Sequence, residues 1–165
     1  NDVLELSRIE SGNMSFHCEN CSAHHFAETV YQTHQVIILP PVEFIKEFPD
    51  EDVTIHIDRM RLTQVITNFL GNAKKFTSQG HIKLGYFCDK EKKEIHIFVE
   101  DTGAGIPKEE LQMIFERFYK RNEFVQGVGL GLAISKVIVE KMNGHIDVQS
   151  EVNKGSRFTA VLPYL

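Results

Sequence analysis

Two runs of strict alternation, HIKLGYFC at 81–88 and EIHIFVE at 94–100, flank the polar turn DKEKK. Ile82, Leu84, Tyr86 and Cys88 recur at every second position of the first run, as do Ile95, Ile97 and Val99 in the second. A period of two puts them all on one face of a β-hairpin. Two strands with one apolar face are at best marginal in water, so other elements must cover that face. A second hairpin is expected from HIDVQS and RFTAVLPYL, joined by EVNKG, and VTIHI and NMSFHC read as shorter strands. Helical spacing runs through NDVLELSRIESG, SAHHFAETVYQTHQVII, the segment from Arg61, PKEELQMIFERFY with Pro107 near its first turn, and GLAISKVIVEKMNG, stopped by Asn143 and Gly144. The most loop-like stretch before residue 107 is LPPVEFIKEFPDED, where Pro40, Pro41 and Pro49 break any helix. Strands and helices are segregated more than alternated. The expected fold is therefore α+β, a two-layer α/β sandwich with a mixed, mainly antiparallel sheet packed against helices.

At 165 residues with 42% hydrophobic content, the chain suits one compact domain with a real core. Its net charge of -5 comes from interspersed acids and bases, which offers no basic stripe for a nucleic-acid backbone. No window approaches the roughly 18 consecutive apolar residues of a membrane span, so no membrane contact by this piece is expected. Cys18, Cys21 and Cys88 are too few and odd in number for a disulfide framework, which suggests a reducing, cytoplasmic setting.

RLTQVITNFLGNAKKFTSQG, from Arg61 to Gly80, carries polar residues in an unexpected place. On a helical wheel Leu62, Val65, Ile66, Phe69, Leu70 and Ala73 share one apolar arc, while Asn68, Asn72 and Lys75 line its flank and Thr67, Gly71 and Lys74 take the outer pole. A flank position is held by the core yet open to a ligand. An Asn carbonyl is a hard neutral donor suited to Mg²⁺, and a lysine beside it suits phosphate. The helix alone leaves this reading and that of ordinary boundary residues both open.

Two glycine-rich segments bear on the choice. In VEDTGAGIP, Asp101 ends a strand and offers a carboxylate acceptor matched to adenine's exocyclic amine, while Gly103 and Gly105 allow close backbone approach to a flat ring. In QGVGLGLAISK, Gly127, Gly129 and Gly131 precede a helix whose free amides face an anion such as phosphate. The roughly twenty residues between the two segments suit a mobile lid over a nucleotide, anchored by Phe115, Phe118 and Tyr119.

Together these segments resemble the catalytic ATP-binding domain of sensor histidine kinases, in the superfamily that also holds gyrase, the heat-shock chaperone ATPases and the MutL proteins. NFLGNAKKFT is similar to the N box, DTGAGI to the first glycine box, IFERFYK to the F box, GVGLGLAISK to the second glycine box and NKGSRF to the third. The resemblance implies ATP and Mg²⁺ as cofactors, with Asn72 the metal ligand, Asn68 its partner at the phosphates, and Lys75 and Lys120 on the phosphate tail. It implies an adenine pocket at Asp101, Gly103, Gly105 and Ile106, Phe115 and Phe118 in the F box, and closure of an ATP lid through Gly127, Gly129, Leu130 and Gly131. Val128 departs from the family's frequent small hydroxyl residue, and Lys74 from a commonly apolar position.

Hydrolysing relatives carry a Glu one turn before the metal-binding Asn, whereas this chain has Asn68, an amide that cannot take a proton. The resemblance thus implies phosphoryl transfer, with a nucleotide-sensing pseudokinase module or an ATPase as the alternatives. Residues 1–13 resemble the end of the dimerisation and phosphoacceptor hairpin and 14–165 the kinase domain. None of the eight histidines precedes Asp or Glu as the family's acceptor does. The expected partners are therefore a separate phosphoacceptor hairpin and a response-regulator receiver domain, with this piece monomeric and the full-length protein a homodimer.

HCENCSAHH is the competing site, since Cys18 and Cys21 have zinc-like spacing with His24 and His25 close behind. A domain with its own core has little need of such a staple, and thiols buried or at the boundary are the simpler expectation.

Overall fold

The computed structural model describes residues 2–116 and 131–164. The alternating runs form the expected hairpin of β4 (Gly80–Asp89) and β5 (Glu94–Asp101), with Leu84 opposite Val99 and Tyr86 opposite Ile97. β7 (Gly155–Pro163) joins β5 antiparallel and β6 (His145–Glu151) joins β7, while β2 (Val42–Glu47) lies parallel to β4 at the far edge. The sheet order is β2-β4-β5-β7-β6. A separate antiparallel pair is made by β1 (Glu19–Ser22) and β3 (Thr54–Ile57).

One face of the large sheet carries Ile82, Leu84, Tyr86, Ile95, Ile97, Val99, Ala160 and Leu162, all buried. Helices α2 (Ala23–Gln35), α3 (Arg59–Phe76) and α4 (Gly131–Lys141) cover it, with α1 (Asp2–Glu10) beside α4. The apolar arc of α3 is the centre of this layer, since Leu62, Val65, Ile66, Phe69, Leu70 and Ala73 are all buried. The other face is roofed by its own side chains. The Arg157 guanidinium lies 4.1 Å from the Phe98 ring centroid and donates to Glu100 at 2.9 Å. Burial pushes the Glu100 carboxyl up, but Arg157, Lys83 and His81 outweigh it and hold the group below the usual carboxylate range.

Three expectations need correction. Residues 13–18 do not form a strand: Met14 and Phe16 pack against the core, but the His17 amide is spent on the Asp58 carboxylate at 2.9 Å, and pairing begins only at Glu19. The same carboxylate caps α3 by accepting from Arg61 N at 3.1 Å. The proline-rich stretch is not a loop throughout, because Val42–Glu47 forms the edge strand β2. Pro40, Pro41 and Pro49 lie just outside it, where no ladder donor is needed. Finally, the described part of PKEELQMIFERFY, residues 107–116, forms a 3₁₀ turn, Lys108–Glu110, with turns continuing to Phe115 in place of the expected helix; Ile114 is buried there and Phe115 meets Phe158 edge-on at 6.5 Å.

Candidate nucleotide site

α3 positions the polar stripe as its sequence requires. With the arc buried, Asn68 and Asn72 are half-buried and Lys75 is exposed, and a cleft of about 290 Å³ opens along this flank. Its lining adds Gln64, Thr67 and Gly71 from α3 and Gly131, Ile134 and Ser135 from α4. Thr67 and Gly71 were expected at the outer pole; Thr67 is exposed there, and both also border the cleft.

Asn68 is fixed by α4. Its Nδ2 donates to Ser135 Oγ at 3.2 Å, and a side chain at Gly131 would collide with the Asn68 amide. Gly131 therefore lets α4 close onto the stripe. Gln64 and Ser135 were missed by sequence reasoning. Gln64 had a signal, because positions 64, 68 and 72 recur at four-residue spacing on one line of the helix. Ser135 had none, since its role depends on how α4 lies against α3.

Asp101 ends β5 on the helix-covered face and is buried. Its Oδ1 accepts from Gly103 N at 2.8 Å, with a second backbone donor at Ser156. Burial pushes the Asp101 carboxyl above the ordinary aspartate range, and the Gly103 and Ser156 amides and the nearby Thr77 hydroxyl only partly offset it. Thr77 Oγ1, buried at the C-terminal end of α3, meets no hydrogen-bond partner of proper geometry. The hydroxyl thus lies close to the Asp101 carboxylate without a well-formed hydrogen bond to it, which leaves it available to a polar ligand. Thr77 lies roughly 7.5 Å along the helix direction from Asn72 at 1.5 Å per residue, so the carboxylate pocket lies at the Asn72 end of the amide stripe.

The glycines of DTGAGI serve protein contacts in this structure. A side chain at Gly103 would meet the Phe76 carbonyl and Thr77 Oγ1, and one at Gly105 would strike the Glu151 backbone. Ala104 N donates to Phe76 O at 3.3 Å, Asn153 N to Ala104 O at 2.7 Å, and Ile106 N to Ser150 Oγ at 2.6 Å. The loop is thus clamped between α3 and the β6–β7 turn, and Ile106 packs at the edge of the core. Gly105 also has φ +73°, so Gly105→Ala should cost about 2–4 kcal/mol of stability through strain and collision. Urea unfolding checks this; unchanged stability with weakened nucleotide binding would instead favour a ring-contact role.

Phe118, Lys120, Gly127, Gly129 and Leu130, together with Tyr119 and Val128, lie outside the described residues. Cys18 is exposed and Cys21 is buried, and among the described residues they do not converge with His24 and His25 into a metal-binding group. Burial raises the thiol pKa of Cys21, which suits a structural residue.

Residues 57–165 match the sequence profile of the histidine kinase-, DNA gyrase B- and HSP90-like ATPases. The chain belongs to that family. It is 35% identical over 169 residues to the sensor histidine kinase WalK of Bacillus subtilis, covering 99% of this chain and 28% of that protein. It is 44% identical over 110 residues to the sensor protein SrrB of Staphylococcus aureus, covering 64% of this chain and 19% of SrrB. The chain therefore spans less than a third of these relatives. Among solved structures, full-length ShkA in complex with AMPPNP superposes with a TM-score of 0.90 at 28% identity, over 99% of this chain and 35% of that one. The catalytic domain of histidine kinase ThkA gives 0.78 at 28% identity, over 90% of this chain and 96% of that domain.

Proposed function

We propose that this chain is the ATP-binding catalytic domain of a two-component sensor histidine kinase, transferring the γ-phosphoryl group of ATP to a histidine on a separate hairpin segment. The observation that carries the reading is the half-buried amide pair Asn68 and Asn72 lining one cleft with Lys75 and the first turn of α4. Asn72 supplies a hard oxygen for Mg²⁺ and Lys75 a charge for the phosphates, and Asp101 accepts from the adenine amine, with Thr77 as the adjacent polar contact. Lys120 and the glycines at 127, 129 and 131 complete the phosphate end. Bound Mg²⁺ supplies charge neutralisation on the phosphate oxygens.

The chain's own contribution is position. The buried arc of α3 holds the stripe, and Ser135 holds Asn68 by its NH₂. In transfer, the bond between the γ-phosphorus and the bridging β-γ oxygen breaks while a bond to the acceptor imidazole nitrogen forms. No water need be deprotonated, which agrees with an amide at 68 where a hydrolase needs a base. That favours a kinase over an ATPase.

Residues 1–13 are assigned to the end of the phosphoacceptor hairpin, on which Val3 and Leu4 of α1 are 51% and 60% exposed and suited to further helix packing. The proposed full-length protein is a homodimer signalling to a receiver domain, with this domain in the cytoplasm; among the described residues no helix is long and apolar enough to cross a membrane. γ-Labelled ATP mixed with this chain and a separate hairpin carrying a His-Glu pair should label the hairpin histidine. Nucleotide binding with no label would point to a pseudokinase, and steady phosphate release without label to an ATPase.

A further inference from the structure

The N-terminal helix reaches the cleft through one carboxylate. Glu5 of α1, with its side chain 16% exposed, spans 56 and 59 residues of sequence to hold two groups on α3. One oxygen accepts from Arg61 Nη1, and the other accepts from Gln64 Nε2 at 2.7 Å. Arg61 is itself seated over the Phe16 ring, 5.9 Å from its centroid. Gln64 is the first member of the line that continues through Asn68 and Asn72 along the cleft wall.

The chemistry of the pair fixes an orientation. An ionised carboxylate only accepts, so Gln64 must turn its NH₂ toward Glu5 and away from its carbonyl oxygen. That oxygen keeps only a long contact, 3.5 Å, from Arg61 Nη1. The Gln64 side chain so held is part of the cleft lining. Glu5 makes the shorter of the two contacts that orient this amide, 2.7 Å against 3.5 Å from Arg61, which Glu5 also holds.

We infer that Glu5 is a positioning residue for the cleft: by holding the Gln64 amide it makes the side-chain bridge from α1 to α3 set the affinity for Mg²⁺-nucleotide. This rests on the nucleotide-binding reading above. Linkage requires the reverse effect as well, so nucleotide must tighten α1 onto α3.

The test is a double-mutant cycle on the 165-residue chain, with Mg²⁺-AMPPNP as the probe and the melting temperature followed in parallel. Glu5→Ala should weaken binding about 5-fold or more, the lower end of ordinary coupling between sites. Glu5→Gln, which keeps the size and one acceptor oxygen, should restore part of the loss and stands in if Glu5→Ala does not fold. In a Gln64→Ala background the same Glu5 change should have no further effect on affinity. A second readout needs no nucleotide: the Gln64 side-chain amide resonances should shift in Glu5→Ala. Equal losses in both backgrounds would overturn the inference, because Glu5 would then act through Arg61 or through general stability. Wild-type binding that Glu5→Ala leaves unchanged would overturn it while leaving the nucleotide site intact. Absence of any binding by the wild-type chain would instead remove the nucleotide reading and this inference with it.

Discussion

Asn72→Ala should abolish Mg²⁺-dependent nucleotide binding and lower phosphoryl transfer to a supplied hairpin histidine by at least about 100-fold, while the fold survives. Loss of even a supporting group at a metal site commonly costs 10–100-fold, and a direct oxygen donor should cost at least the upper end. The fold survives because the buried arc of α3 is formed by Leu62, Val65, Ile66, Phe69, Leu70 and Ala73, whereas Asn72 is half-buried on the cleft wall. Its truncation should move the melting temperature by no more than about 3 °C, the effect of roughly 1 kcal/mol in a domain of this size. Ligand at a hundredfold excess over its dissociation constant stabilises by about 2.7 kcal/mol, which predicts a rise of roughly 5–10 °C for the wild type with Mg²⁺-AMPPNP. That rise should vanish in Asn72→Ala. Full retention of the rise would remove Asn72 from the site.

The position of Asn72 was legible in the sequence because a helix has a rigid period. Once the six apolar residues set the buried arc, the angle of every other residue on α3 followed, and Asn68 and Asn72 took the half-buried flank they were expected to take. The hairpin of β4 and β5 was legible for the same reason, with a period of two in place of 3.6. What the periodicity did not contain was the relation between elements. Thr67 and Gly71 could be placed on the outer side of the helix, but not as neighbours of a cleft that α4 helps to line.

β2 escaped notice through its environment. An edge strand is only partly covered, so Val42, Phe44 and Ile45 are half-buried among Glu43, Lys46 and Glu47, and the flanking prolines dominated the local signal. Residues 13–18 failed in the opposite direction. Met14 and Phe16 alternate as a strand does, yet they anchor a segment whose His17 amide donates to Asp58, the residue that caps α3, a contact spanning 41 residues that no local pattern encodes. Glycine meaning was also split. DTGAGI marked a place of close approach, but the groups approaching Gly103 and Gly105 include the chain's own carbonyls at Phe76 and Glu151, which only the packing of the loop between α3 and the β6–β7 turn determines.

Asp101→Asn should separate stability from function, because burial and binding act oppositely on this carboxyl. Burial raises its pKa above the ordinary value, so the folded, nucleotide-free protein holds the proton more tightly than the unfolded chain does. The associated stability is fully present below the unfolded aspartate pKa and is lost as pH rises through the folded one. At neutral pH the wild type therefore carries a buried charge only partly compensated by the Gly103 and Ser156 amides and Thr77. Asp101→Asn, nearly equal in size, should melt at the same temperature or higher at pH 7, and this advantage should shrink in acid. Binding reverses the preference. Adenine's exocyclic amine needs an acceptor, so nucleotide favours the ionised form, and affinity for ATP should fall as the solution is acidified through the raised pKa. In Asp101→Asn a charge-assisted bond is gone and an NH₂ can face the amine, so ATP affinity should drop about 100-fold, in line with 1.5–3 kcal/mol for a hydrogen bond to a charged group. Guanine presents a carbonyl oxygen where adenine has the amine. The carboxylate repels that oxygen and the Asn amide can donate to it, so the preference for ATP over GTP should collapse in the variant. Calorimetric titration of both nucleotides across pH, with parallel melts, measures all of these effects. A variant that keeps the wild-type preference for ATP would show that adenine is read somewhere other than Asp101.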